Sequence, residues 1–134
     1  MASRWIPMTS FAFTLPNRSG ELASFADRLH RAGVNLLGLW GYAHGEELPH
    51  LSCVPESPDA FRKFARSEGL ECEEGRTLYL IADDRPGALR LMLQRIADSG
   101  ANVEAIECTS VGARFGCFVW ADDAHFDTLA QALA

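Results

Sequence analysis

Apolar and polar positions alternate at Phe11-Ala12-Phe13-Thr14-Leu15, the period of two expected of a strand with one buried face. Pro16 and Asn17 stop it. After Gly20 the apolar positions become Leu22, Phe25, Ala26 and Leu29, spaced i, i+3, i+4 and i+7 as on one stripe of an amphipathic helix. Gly33 then offers the left-handed cap that ends such a helix. Val34 to Trp40 reads as a second strand, His44 to Glu47 as a turn and Leu48 to Val54 as a third strand. Ser57-Pro58-Asp59 starts a second helix, with serine as cap and proline at the first helical position. Phe61, Phe64 and Ala65 line its inner face, Gly69 closes it, and Leu70 to Cys72 is expected as a short fourth strand. The order is βαββαβ.

The second half repeats the first about 67 positions on: Asn17-Arg18-Ser19-Gly20-Glu21-Leu22 becomes Asp84-Arg85-Pro86-Gly87-Ala88-Leu89, and Gly33-Val34-Asn35 becomes Gly100-Ala101-Asn102. A period near half the chain, with its glycines in register, means two copies of one supersecondary unit. Thr77 to Ala82 is the repeated first strand, and Leu89, Met92, Leu93 and Ile96 the helical stripe. Ala101 to Thr109 and Arg114 to Ala121 are strands joined around Gly112, and a last helix buries Phe126, Leu129, Ala130 and Leu133. We therefore expect an α+β fold of two ferredoxin-like units, residues 1–73 and 77–134, each an antiparallel sheet with helices on one face. The second unit lacks a last strand of its own.

That missing strand leaves a central strand edge to be covered. The segment Glu73 to Arg76 spans at most about 14 Å when extended, too little to cross a four-stranded sheet. This predicts that Leu70 to Cys72 turns back onto Thr77 to Ala82 and serves both units, giving a continuous sheet with all four helices on one face. The competing expectation is that the N-terminal segment around Arg4 to Ile6, or a partner chain, fills the gap.

Composition narrows the function. The content of 48% hydrophobic and 22% charged residues is that of an ordinary folded domain. A net charge of −6 and a single lysine, Lys63, disfavour nucleic acid, because binding it requires clustered cations. No signal peptide and no apolar run of membrane-spanning length is legible, which makes the cytoplasm the default. Cys53, Cys72, Cys108 and Cys117 show neither Cys-x-x-Cys nor zinc-finger spacing and read as reduced packing thiols, Cys108 and Cys117 on neighbouring strands. His30, His44, His50 and His125 are scattered without ligand spacing. No metal or cofactor is called for.

Each copy places a polar residue, an arginine, a spacer and a glycine between a strand and a helix. Glycine permits a tight turn and close backbone approach. The amides of Gly20, Glu21 and Leu22, and of Gly87, Ala88 and Leu89, are then expected to be unpaired first-turn donors suited to a carboxylate or phosphate. Asn17 and Asp84, at the end of the preceding strand, can accept hydrogen bonds from an ammonium group. Donors for a carboxylate beside an acceptor for an amine describe an α-amino acid. One such segment alone reads as a good turn; two in register, each followed by Gly-x-Asn, point to a ligand.

Strand, Asn or Asp, Arg, Pro, Gly, x, Leu, amphipathic helix and Gly-Val-Asn entering the next strand: this pattern resembles the ACT domain, a regulatory amino-acid-binding module. The resemblance covers nearly the whole chain as two tandem copies. It implies a ligand held between two modules, by the loop after the first strand of one and the second-strand region of its neighbour. It transfers a binding role to Asn17, Ser19, Gly20, Glu21, Leu22 and Asn35, and to Asp84, Pro86, Gly87, Ala88, Leu89 and Asn102. Arg18 and Arg85 fit the motif and are expected to be solvated. Ser19 stands where the family has proline, so the first loop is expected to be the looser and the first site the degenerate one; alternatively, charged Asp84 selects a different ligand from Asn17.

Two other classes share the topology. An acylphosphatase-like hydrolase would use Arg18 with Asn35, or Arg85 with Asn102, to hold phosphate and orient water, but the glycine-rich cradle around the arginine is missing and no catalytic residues are assigned. A ligand-free interaction module would use Trp5, Trp40, Trp120, Leu51 and Phe118 as an apolar sheet face. The expectation carried forward is a non-enzymatic sensor of a small molecule, an amino acid or a related compound, self-associating as a homodimer, without nucleic acid or membrane.

Overall fold

The computed structural model describes residues 4–43, 45 and 48–133. Ten elements follow in the order β1 (Arg4–Thr14), α1 (Glu21–Arg31), β2 (Leu36–Tyr42), β3 (His50–Pro55), α2 (Pro58–Glu68), β4 (Glu73–Asp83), α3 (Ala88–Ser99), β5 (Val103–Val111), β6 (Arg114–Ala121) and α4 (Phe126–Leu133). The fold is α+β, and the antiparallel sheet has the strand order β2-β3-β1-β4-β6-β5. The turn expected at His44 to Glu47 lies, apart from Gly45, outside the described residues.

The helix signals act as their chemistry dictates. The Ser57 hydroxyl accepts the Ala60 N–H at 3.3 Å, Pro58 opens α2, and Gly69 closes it at φ 64°. The repeat is visible in the backbone itself. Gly20 and Gly87, which precede α1 and α3, have φ/ψ of 87°/−7° and 88°/−10°, a left-handed conformation that only glycine adopts at little cost.

The chain divides into two compact units. One runs from Thr9 to Gly75; the other joins residues 4–8 to 76–133. Both boundaries fall inside strands, so β1 and β4, each of 11 residues, are divided between the units. This corrects the expectation of a hairpin. Leu70, Glu71 and Cys72 form no strand, and Glu73 to Arg76 lies within β4 instead of turning back. The strand missing from the second unit is supplied by the N-terminal segment: β1 neighbours β4, and Trp5, 6% exposed, belongs to the core of Leu78, Leu80, Met92, Ile96 and Leu129. The charged residues that looked like a linker are anchored to helices. Glu74 receives two hydrogen bonds from Arg62 of α2, at 3.0 and 2.8 Å, and Arg76 pairs with Asp127 of α4 at 3.0 Å while lying over the Phe126 ring at 4.3 Å.

The two cores differ in chemistry. In the Thr9–Gly75 unit Phe11, Phe13, Phe25, Phe61 and Phe64 pack with ring centroids between 4.5 and 6.2 Å. The other unit uses mostly aliphatic side chains at the corresponding places. In each unit both helices contribute to a single core with their strands. Trp5 and Leu51, read above as part of an apolar outer face, are core residues at 6% and 7% exposure. Tyr79, Phe118 and Trp120 do form a row, with centroids 4.8 and 6.1 Å apart.

Candidate functional site

A pocket of about 390 Å³ opens in the Thr9–Gly75 unit where β1 runs into α1. Leu15 and Leu51, both buried, form its floor, and Leu22, Leu39 and Tyr42, all exposed, stand at its rim. Pro16, Asn17, Arg18 and Glu21 supply the wall from the β1–α1 loop, and Trp40, Gly41 and Ala43 the wall from the end of β2. Gly41 is required here: a Cβ would lie 2.8 Å from the His50 carbonyl oxygen of the paired strand and 2.5 Å from a Leu51 methyl. The mouth is polar. Arg18 donates from Nη2 and Nε to Glu21 Oε1 at 2.6 and 3.1 Å, so a cation and an anion stand side by side above an apolar floor.

Of the predicted residues, Asn17, Glu21 and Leu22 line this pocket, and Ser19 and Gly20 shape the loop without lining it. Arg18, expected only as a solvated residue, is exposed and also part of the wall. Asn35 is elsewhere in its unit. It precedes β2 at the Leu36–Pro55 end, whereas the pocket lies at the Tyr42–His50 end. Its side chain donates to Glu56 at 2.9 Å, and its carbonyl accepts the Glu56 N–H at 2.9 Å. The loop amides need one correction. The Glu21 N–H is taken by the Arg18 carbonyl at 3.3 Å, and the Ala88 N–H by that of Arg85 at 3.1 Å, so the turn itself consumes one of the three donors expected in each copy.

The second copy is arranged differently. Asp84 accepts from the Ser110 hydroxyl and gives its N–H to the Ala113 carbonyl at 2.8 Å, which ties the loop to the β5–β6 turn. That turn is short, with Gly112 at φ 63°, where the first copy has a longer connection between Tyr42 and His50. The two copies thus differ in geometry: Asn17 stands at an open pocket and Asp84 is engaged. Pro86, Gly87, Leu89 and Asn102 are all exposed. Ala88, with Arg85, lines a separate cavity of about 320 Å³ beneath α3.

Leu39, Trp40, Tyr42 and Pro49 were missed in the sequence. A signal for them exists in the repeat, since Trp40 and Tyr42 stand where the second copy has Glu107 and Thr109. Among the described residues no group of three His, Cys, Asp or Glu side chains is placed to hold a metal ion, and no helix is long and apolar enough to cross a membrane.

No protein-family model and no curated sequence matches this chain. Solved structures do. A protein from Bacteroides thetaiotaomicron superposes with a TM-score of 0.81 at 18% identity, covering 96% of this chain and 88% of its own. The regulatory subunit of aspartate kinase from Thermus thermophilus, in a ligand-free form, gives 0.64 at 15% identity over 98% and 97% of the two chains. Aspartokinase III of E. coli, in complex with lysine and aspartate, gives 0.57 at 13% identity, over 98% of this chain and 32% of the enzyme. At such identities the likeness speaks for the fold. With the repeated loop geometry and the paired cores, it shows that this chain has an ACT-type fold in two copies.

Proposed function

We propose that the chain is a non-enzymatic regulatory module that binds an α-amino acid, or a closely related small molecule, in the pocket between the β1–α1 loop and the end of β2. The observation that carries this reading is the juxtaposition of Arg18, Glu21 and Asn17 over a floor of Leu15 and Leu51. A zwitterion needs a donor for its carboxylate and an acceptor for its ammonium, and the site offers both within one turn of chain. Arg18 and the Leu22 amide serve the carboxylate; Glu21 and the Asn17 carbonyl oxygen serve the ammonium. The apolar floor and the rings of Trp40 and Tyr42 suit an uncharged side chain. The volume falls in the range of about 300–1,000 Å³ usual for small-molecule sites.

Binding would act by differential affinity. A rim of exposed Leu22, Leu39 and Tyr42 leaves a bound ligand partly uncovered, and a second copy of the chain laid over it would complete the enclosure. Ligand then favours the assembled form, and occupancy is reported as association. A neighbour of this fold crystallised with lysine and aspartate supports amino acids as the first class to try.

The test is a thermal-shift panel of the common amino acids on the wild-type chain, Asn17→Ala, Glu21→Gln and Asp84→Ala. A ligand of this pocket should raise the melting temperature of the wild type and of Asp84→Ala, and lose about tenfold or more in affinity in Asn17→Ala or Glu21→Gln, the effect of removing a hydrogen bond to a charged group. Undiminished binding in both Asn17→Ala and Glu21→Gln would refute the assignment.

A further inference from the structure

We infer that the cavity beneath α3 is a second, chemically different site, built to take a small amphipathic anion: a monocarboxylate with a hydrocarbon tail. It is lined by Trp5, Leu80, Ala82, Met92 and Phe115, all buried, with Ala88 and Leu91 of α3 and the charged residues Asp83, Arg85 and Arg95. Its volume of about 320 Å³ is that of a compact ligand.

The repeat shows how this space arose. Where the first unit has Phe13, Leu15 and Phe25, the second has Leu80, Ala82 and Met92. In the first unit those rings fill the core, Phe13 and Phe25 standing 5.1 Å apart. In the second, each of the three positions carries a smaller or slimmer side chain, and all three line the cavity. An interior that loses volume at three neighbouring positions either collapses or keeps a hole at a cost. Here it keeps one that opens beside two cations.

The charges changed in the same direction. Arg18 of the first unit is neutralised by Glu21 at 2.6 Å, and Arg28 by Glu68 at 3.0 Å. Their counterparts are Arg85 and Arg95. The position of Glu21 is taken by Ala88, so Arg85 has no carboxylate partner among the described residues. Among the described residues Arg95 donates only to the Ala132 carbonyl, at 3.1 Å. The one acid in the lining, Asp83, is shared with Arg114 at 3.8 Å. The result is an apolar chamber with surplus guanidinium donors at its mouth, complementary to a ligand that has one anionic head and an apolar body. The amino-acid pocket pairs one cation with one anion; this site sets two guanidinium groups against a single acid that Arg114 already shares, so the excess of positive charge disfavours an ammonium group.

Trp5 is a built-in reporter. In a Trp40→Phe, Trp120→Phe background, octanoate should change Trp5 emission along a saturable curve. Arg85→Gln should weaken binding about tenfold or more, as expected for loss of a charge-assisted contact. Met92→Phe, which restores the first unit's residue, should abolish the response while far-UV circular dichroism and cooperative melting show a folded chain; Ala88→Leu, at the partly buried entrance, serves the same purpose if the phenylalanine does not fit. Asn17→Ala should leave octanoate affinity unchanged, which separates this site from the amino-acid pocket. Octanol, with the same tail and no charge, should bind at least about tenfold more weakly and ignore Arg85→Gln. No saturable change up to the solubility of octanoate, or an affinity indifferent to both Arg85→Gln and the filling variants, would overturn the inference.

Discussion

Asn17 and Asp84 hold the same position in their units and do different work, because an ionised carboxylate only accepts hydrogen bonds whereas an amide both donates and accepts. Asp84 is satisfied by the Ser110 hydroxyl, and Asn17 stays at the rim of an open pocket. The thiols illustrate the same dependence on surroundings. Burial, aided by nearby Cys72, pushes the Cys53 thiol up to about 12, and burial followed by a hydrogen bond with Cys108 raises that of Cys117. A raised thiol pKa leaves little reactive thiolate at pH 8. Iodoacetamide at pH 8 should therefore modify exposed Cys108 first and reach Cys53 and Cys117 only on unfolding, as read by mass spectrometry of timed samples. Native labelling of Cys53 as fast as that of Cys108 would contradict the described packing. The placement of Cys108 beside Cys117 was legible in the alternation of the two strands, and their register sets the pair directly opposite each other. Both therefore project to the same face of the sheet; Cys117, on β6 between two strands, is buried, and Cys108, on the edge strand β5, is exposed.

Among the elements, the helices were legible nearly to the residue, since serine caps, first-turn prolines and left-handed glycines are local signals that act within a few residues. The strands were not. Arg4 to Met8 carries a proline and little alternation, and Glu73 to Arg76 carries three charges and a glycine; neither reads as a strand by its own composition. Both extend existing strands because a neighbouring edge and the clamps from Arg62 and Asp127 reward it. Two outcomes follow. In hydrogen exchange, the Leu70 amide should be protected by its 2.9 Å bond to the Ala65 carbonyl, while those of Glu71 and Cys72 exchange rapidly; slow exchange at both would revive the hairpin. Trp5→Ala should destabilise the chain by about 3–5 kcal/mol, the usual cost of deleting a buried aromatic ring, in urea unfolding. A change below about 0.5 kcal/mol, the scale of an ordinary surface substitution, would mean that the N-terminal segment is not part of the core.

For the whole molecule, the proposed sensor makes a claim about assembly. A ligand that binds only the folded chain stabilises it by about 2.7 kcal/mol at a hundredfold excess over its dissociation constant. If the second copy encloses the ligand, the dimer must also tighten. Analytical ultracentrifugation across a dilution series should then give a lower dimer dissociation constant with saturating ligand, and Tyr42→Ser, at the exposed rim, should reduce that tightening more than it reduces binding to the single chain. Association that ignores the ligand would leave a binding protein without the reporting step.

The amino-acid sequence by itself determined the duplication, the α+β class, the helix boundaries and the two glycine loops. These depend on local dihedral preference and short-range periodicity, which any stretch of chain expresses alone. Tertiary structure decided which segment completes the second unit, which loop faces an open pocket and where unfilled volume lies. Each of these depends on groups distant in sequence: Trp5 against Leu80 and Met92, the Asn17 loop against the end of β2, Asp84 against Ser110. Two copies with matching loops thus came to have unlike surroundings, because what a loop meets is set by what the rest of the fold brings up to it.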